Sequence, residues 1–251
     1  MLAEAPKPEG KGSGGAADSA PDFSSNERLS FEKELLGFYV TGHPMNSYSG
    51  LWEAIDTVQT EELTGLPDRA EFRLCGIAGN IAKKYAKKDN RPWAAFTLAT
   101  RRSTVALNMF ADAFASYGTV LAENAAVMVQ GNIIRGADGP RINVKECYAL
   151  DSSVSRATRK VVWLLRSAHP QLVGFLHLLR ETVVREPGDT RMEFALLLEG
   201  GLAPVAEASQ ALSWRLTAPV FQSLRSHPAV AGVRIETRPL ELKPDTRWAR
   251  R

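Results

Sequence analysis

The chain has 251 residues, with 44% hydrophobic and 24% charged side chains and a formal net charge of +3, the make-up of an ordinary globular protein of one or two domains. No apolar run approaches the roughly 18 to 20 residues that span a bilayer, and the N-terminus has no signal-peptide core, so a cytoplasmic protein without membrane contact is expected. With so small a net charge, the case for any anionic partner rests on where the cations sit.

Residues 1–24 are rich in Gly, Pro, Ser, Ala and Lys and almost free of large apolar side chains. Such a segment cannot offset its ordering entropy, so it reads as a disordered leader of the kind that links domains, and the chain as a piece of something longer. Residues 25–69 read as a helical joint. Leu29, Phe31, Leu35, Leu36, Phe38 and Tyr39 recur at helical spacing and supply a packed face. Gly42 suits the left-handed position after a helix end and Pro44 blocks continuation. His43, between them, is read as a structural turn residue rather than a catalytic one. A second short helix is expected over Ser47 to Ile55.

Residues 70–150 alternate as strands do. "EFRLCGIAGNIA" is β-rich, with Gly76 and Gly79 pointing to a bulge or bend. "WAAFTLAT" and "TVALNMF" form a hairpin around residues 101–103, "ADAFASYGTVL" a short helix, and "AAVMVQGNII" and "RINVKECYAL" two more strands across the turn "RGADGP". Three strands, a helix and two strands is the order of a five-stranded OB barrel. On the second strand Ala94, Phe96 and Leu98 share the inward parity, leaving Trp93, Ala95 and Thr97 outside. Residues 151–158 read as a linker. Residues 159–241 follow a β-α-β-β-α-β order, a small sandwich with Val162, Leu164, Leu172, Phe175, Leu176 and Leu179 as its expected core. A basic tail, 242–251, ends the chain. The expected fold class is therefore α+β, mainly β: helical joint, OB barrel, sandwich.

Cys75 and Cys147 lack CxxC spacing, so a zinc site is not expected and both thiols read as buried. The four histidines are scattered without metal-ligand spacing, and no nucleophile–base arrangement or phosphate-binding glycine loop stands out. No cofactor, metal or catalytic residue is expected. The cations are not scattered. Lys83, Lys84, Lys87, Lys88 and Arg91 crowd the connection between the first two strands, Arg135 and Arg141 flank that between the fourth and fifth, and Arg101 and Arg102 lie at the hairpin end. OB folds bind single strands across strands two and three and these two loops. Tyr85 and Trp93 are the candidate rings for base stacking.

The stretch "FEKELLGFYVTGHPMNSY" resembles a segment of the bacterial DNA polymerase III α subunit, in which a helix ending in a Gly-His-Pro turn leads into an OB domain. "GIAGNIAKKYAKKDNRPWAAFTLAT" and "VALNMFADAFASYGTVLAENAAVMVQGNI" resemble that OB core, and the last hundred residues its C-terminal domain at the level of pattern. The loop "AKKDNRP" is one residue longer than in the family, the second strand starts Trp93-Ala94, and its usual acidic end reads Ala99-Thr100-Arg101-Arg102. "PDFSS" superficially resembles the family's palm motif, but its second and third acids are missing. A polymerase palm needs paired acids to hold its metals. The resemblance implies an accessory C-terminal segment of a DNA-directed DNA polymerase. It would bind single-stranded template DNA through the OB domain and contact the clamp-loader τ subunit and the polymerase core, with no active site of its own. A stand-alone OB-fold single-strand binder, or one half of a split polymerase completed by a separate core, are the alternatives.

Overall fold

Period-two patterning becomes a closed barrel. The computed structural model describes Glu32, Leu35 and residues 44–137, 139–198, 200–202, 206–208 and 212–242. The expected leader, Gly42 and His43 of the turn, and the tail beyond Leu242 lie outside the described residues. Strands β1 (Glu71–Tyr85), β2 (Pro92–Ala99), β3 (Thr104–Met109), β4 (Ala126–Gly136) and β5 (Gly139–Ala149) close in the order β1-β2-β3-β5-β4. A short parallel contact, Asn108 with Asn143 and Met109 with Val144, completes the ring. The expected parity of β2 holds: Ala94, Phe96 and Leu98 are buried with Phe72, Leu74, Leu107 and Val129 inside the barrel. β1 reaches both neighbours by bending. Its register shifts between Gly79 and Ala82, Asn80 adopts a left-handed φ of 51°, and the Glu123 carboxylate accepts the Asn80 and Ile81 amides at 3.1 and 2.7 Å. The helix expected between the third and fourth strands is present at Ala111–Tyr117.

Ahead of the barrel, Pro44 opens a 3-10 turn to Tyr48, followed by a one-turn helix α1 (Trp52–Ile55) and a second 3-10 segment, Thr60–Gly65; the barrel helix Ala111–Tyr117 is therefore α2. The single short helix expected over Ser47 to Ile55 is thus split in two. In the N-terminal unit, Met1–Thr41, Glu32 and Leu35 are helical, but Leu35 is 79% exposed rather than packed.

The segment read as a linker, 151–158, is instead an α-helix, α3 (Leu150–Ala157), with Thr158 already in the next strand. Its polar composition conceals an apolar face, with Leu150, Val154 and Ala157 buried. Beyond it β6 (Thr158–Arg166), α4 (Leu172–Arg185), β7 (Pro187–Leu198), α5 (Ala218–Arg225) and β10 (Val230–Thr237) follow the expected order. The strand expected in "LAPVAEAS" shrinks to the two-residue pieces β8 (Gly201–Leu202) and β9 (Ala206–Glu207). The sheet runs β10-β6-β7-β8, with β6 and β7 parallel across the α4 crossover. Trp163 is its centre, with ring centroids 5.9 Å from Phe175, 6.1 Å from Phe221 and 6.4 Å from Trp214. Phe175, Leu179 and Val183 form the buried stripe of α4. Leu176, placed in the core by composition, lies one residue further round, about 100° away, and is 40% exposed. Leu164 alternates with Trp163 and Leu165, which puts it on the sheet face away from α4.

The barrel and the sheet share one core. Cys75, Ile77 and Met128, pointing outward from the barrel, join Met45, Leu51 and Ile55 of the joint, the buried face of α3, and Trp163, Phe221 and Leu216. Polar contacts reinforce it. Tyr48 donates to Asp151, and Gln222 and Arg225 donate to the Ser49 carbonyl at 2.6 and 3.0 Å. Arg73, 3% exposed, gives its Nε to the Ile55 carbonyl at 2.8 Å and an Nη to that of Arg238 at 3.3 Å. One guanidinium thus ties the joint, the barrel and the end of the second sheet. Burial lowers its pKa.

Candidate nucleic-acid interface

The basic connection between β1 and β2 is more ordered than a loop. β1 continues to Tyr85, so Lys83 and Lys84 are strand residues paired with Ala94 and Trp93. The turn proper is closed by Ala86 N–H to the Arg91 carbonyl at 3.0 Å and Asn90 N–H to that of Ala86 at 2.9 Å. Asn90 takes the left-handed φ of 51° that a tight turn needs. Lys87 and Lys88 stand exposed at the tip.

Strand pairing sorts the side chains by face. Lys84 and Trp93 are opposite partners and share the outer face, with the Lys84 ammonium 5.3 Å from the indole centroid. Lys83 and Tyr85 fall on the other face of the hairpin, the ammonium 5.8 Å from a ring that is 56% exposed. The two candidate stacking rings therefore do not share a surface. Trp93 has a different companion, Phe110, whose ring lies 5.8 Å away at 41°. Arg91 is held by Asp112 in the first turn of α2 at 2.5 Å, which fastens the basic hairpin onto that helix.

The remaining arginines lie elsewhere. Arg101 and Arg102 sit at the far end of β2, eight residues from the basic turn, about 26 Å at the strand rise. They contact the joint: Arg101 donates to Asn46 at 3.4 Å and Arg102 to Gln59. Arg135 is bound to the same segment, through the Leu66 and Thr64 carbonyls and, by its backbone N–H, the Asp68 carboxylate at 2.8 Å. Arg141 is exposed on β5, opposite Ile134. The structure gathers Lys83, Lys84, Tyr85, Lys87, Lys88, Arg91 and Trp93 at one end of the barrel, and leaves Arg101, Arg102 and Arg135 engaged in bracing the joint.

Phe110 and Asp112 escaped the sequence reading. The signal was present in the parity of β3: with Leu107 and Met109 inward, Asn108 and Phe110 must share the outer face with Trp93. Burial places both thiols where composition expected them and raises their pKa, that of Cys147 to about 12. Among the described residues no three His, Cys, Asp or Glu side chains gather as metal ligands, and no helix is long and apolar enough to cross a membrane.

Comparison with known proteins bears out the resemblance read from the motifs. The chain is similar to the DNA polymerase III subunit alpha of Mycobacterium tuberculosis, 25% identical over 178 residues, covering 70% of this chain and 15% of that protein. It is likewise similar to that of Pseudomonas aeruginosa, 28% identical over 134 residues, covering 53% and 11%. The chain thus spans only a small fraction of the length of these relatives. No family model matches. Among solved structures, the mitochondrial single-stranded DNA binding protein Rim1 of S. cerevisiae overlays with a TM-score of 0.29 and 13% identity, over 33% of this chain and 97% of that one.

Proposed function

We propose, starting from a chain similar to DNA polymerase III α subunits, that this is a C-terminal accessory segment of such a subunit, holding single-stranded template DNA on its barrel. The observation that carries this reading is the β1–β2 hairpin, which presents Lys83, Lys84, Lys87 and Lys88 beside an outward Trp93 on a closed barrel. The lysines meet phosphates and release counterions, giving affinity with little sequence preference. The segment positions template for a polymerase core elsewhere and has no active site of its own. Its second sheet contacts the clamp-loader τ subunit, a reading supported by the family resemblance and by exposed Val173, Leu176 and Val184 on α4.

Fluorescence anisotropy with labelled oligo-dT across a salt series tests the DNA reading. Changing Lys83, Lys84, Lys87 and Lys88 to Ala is expected to flatten the salt slope by about 3, at roughly 0.7 per single-strand phosphate contact. Equal affinity and slope for the two proteins refutes the assignment. For the partner, co-elution with τ at micromolar concentration is expected, and its absence refutes that contact.

A further inference from the structure

The outer face of the barrel beside the basic hairpin combines small side chains with exposed rings. On β2 it carries Trp93, Ala95 and Thr97. Ala95 is flanked by Ala82 of β1 and Asn108 of β3, and Thr97 by Ala106. Three alanines make a floor with no side chain above Cβ, so a flat ring can lie directly on the sheet. At the hairpin end that floor stops against the tilted Trp93–Phe110 pair, with Phe110 38% exposed although its core-facing neighbour Met109 is fully buried. The Thr97 hydroxyl is committed, donating to the Gly79 carbonyl at 2.9 Å and accepting from Asn80 at 3.1 Å. The Asn108 side-chain amide, half-buried on the same floor, makes no hydrogen bond with any described residue.

An exposed aromatic step, a floor of alanines beside it, a side-chain amide with no hydrogen bond to the described residues and an ammonium at the edge form a set that phosphate binding alone does not require. We infer that Phe110, Trp93 and Asn108 form a base-contacting subsite, which takes one unpaired base against the rings and meets its edge with the Asn108 amide while Lys84 faces the adjoining phosphate. An amide offers both a donor and an acceptor, so any of the bases finds a partner. The ligand class is a single strand that carries bases, because in a duplex stacking covers the faces of a base and pairing occupies its Watson–Crick edge, leaving only the groove edge. Tyr85, on the opposite face of the hairpin, stands outside the subsite. This inference rests on the single-strand reading above and deepens it.

The test separates bases from phosphates. Anisotropy at fixed salt is measured on the full chain with oligo-dT, with an abasic strand of equal length and with duplex. Wild type is expected to prefer oligo-dT over both. Phe110→Ala is expected to lose about 5- to 160-fold on oligo-dT, the range of one stacked base, and Asn108→Ala a smaller factor. Both should bind the abasic strand as wild type does, with an unchanged salt slope, and Tyr85→Ala should keep the preference. If circular dichroism shows Phe110→Ala misfolded, Phe110→Leu, which keeps an apolar contact with Trp93, is read in its place. Wild-type affinity of the Phe110 and Asn108 variants for oligo-dT, or equal wild-type affinity for abasic and base-bearing strands, overturns the subsite. If the lysine variant nevertheless loses binding, the phosphate reading survives alone; if wild type binds no single strand, both fall.

Discussion

Asp112 is expected to act against DNA binding, and Asp112→Asn should tighten it. Its carboxylate lies 2.5 Å from the Arg91 guanidinium, and the two side chains are 48% and 45% exposed. An ion pair so open to solvent contributes about 0 to 1 kcal/mol to folding, and an acid in the first turn of a helix about 0.3 to 1 kcal/mol. The variant should therefore lose less than about 2 kcal/mol and stay folded. On the binding side it frees one cation. A single further counterion released from a single strand changes log K by about 0.7 per decade of salt, a gain of about eightfold at 50 mM and about threefold at 200 mM. Anisotropy with oligo-dT at those two concentrations reads both the gain and the steeper slope, and urea unfolding checks stability. Arg91→Ala should change affinity little, because that cation is already engaged in the free protein. Unchanged or weaker binding by Asp112→Asn, with the wild-type slope, would refute the idea that phosphate and carboxylate compete for Arg91.

Gly131→Ala should open the barrel: an added Cβ meets the backbone carbonyl of Asn143 on the neighbouring strand and comes within 3.0 Å of the Phe72 ring. A loss of about 3 kcal/mol or more by urea unfolding is expected, and a loss under about 1 kcal/mol contradicts the strand spacing. Asp56 carries the clearest pH signature, since burial raises its pKa from 3.8 to about 7, partly opposed by the hydrogen bond from the Cys75 N–H at 2.7 Å. The folded state then holds a proton that the unfolded chain has released, so its contribution is full below about pH 4 and is lost as pH rises through about 7. Asp56→Asn should remove roughly 1 to 3 kcal/mol of that slope, and an unaltered stability profile between pH 4 and 8 counts against it. Trp163→Ala, at the centre of the shared core, should cost about 3 to 5 kcal/mol and lower the melting of barrel and sheet together. Two separated transitions would show that the units unfold independently.

The barrel was legible because its signals are local. Inward Ala94, Phe96 and Leu98 alternate with outward Trp93, Ala95 and Thr97, and turns with Gly, Asn or Asp separate the runs, so strand order followed from the sequence. Tertiary burial was not legible. Arg73 occupies an outward position on β1 that would face water on an isolated barrel, and only the joint and the second sheet enclose it. Helix α3 was missed for a related reason: in "LDSSVSRA" only Leu150, Val154 and Ala157 carry the apolar stripe, too sparse to read until its partners are known. The candidate site divided along the same line. The basic cluster was visible as charge density, while its separation from Arg101, Arg102 and Arg135 depends on strand length and on which carbonyls those arginines meet.

The buried seam between barrel and sheet also bears on mechanics. A barrel hung on a flexible linker would let a pulled strand swing it freely, and tension would dissipate in chain entropy. Here Cys75, Ile77 and Met128 are embedded among Trp163, Phe221 and Leu216, and Arg73 bolts the same seam with directional hydrogen bonds. Close-packed interiors are stiff and transmit strain. A load applied at Lys84 and Trp93 would therefore reach α4 as a displacement of the whole body, without slack between the two.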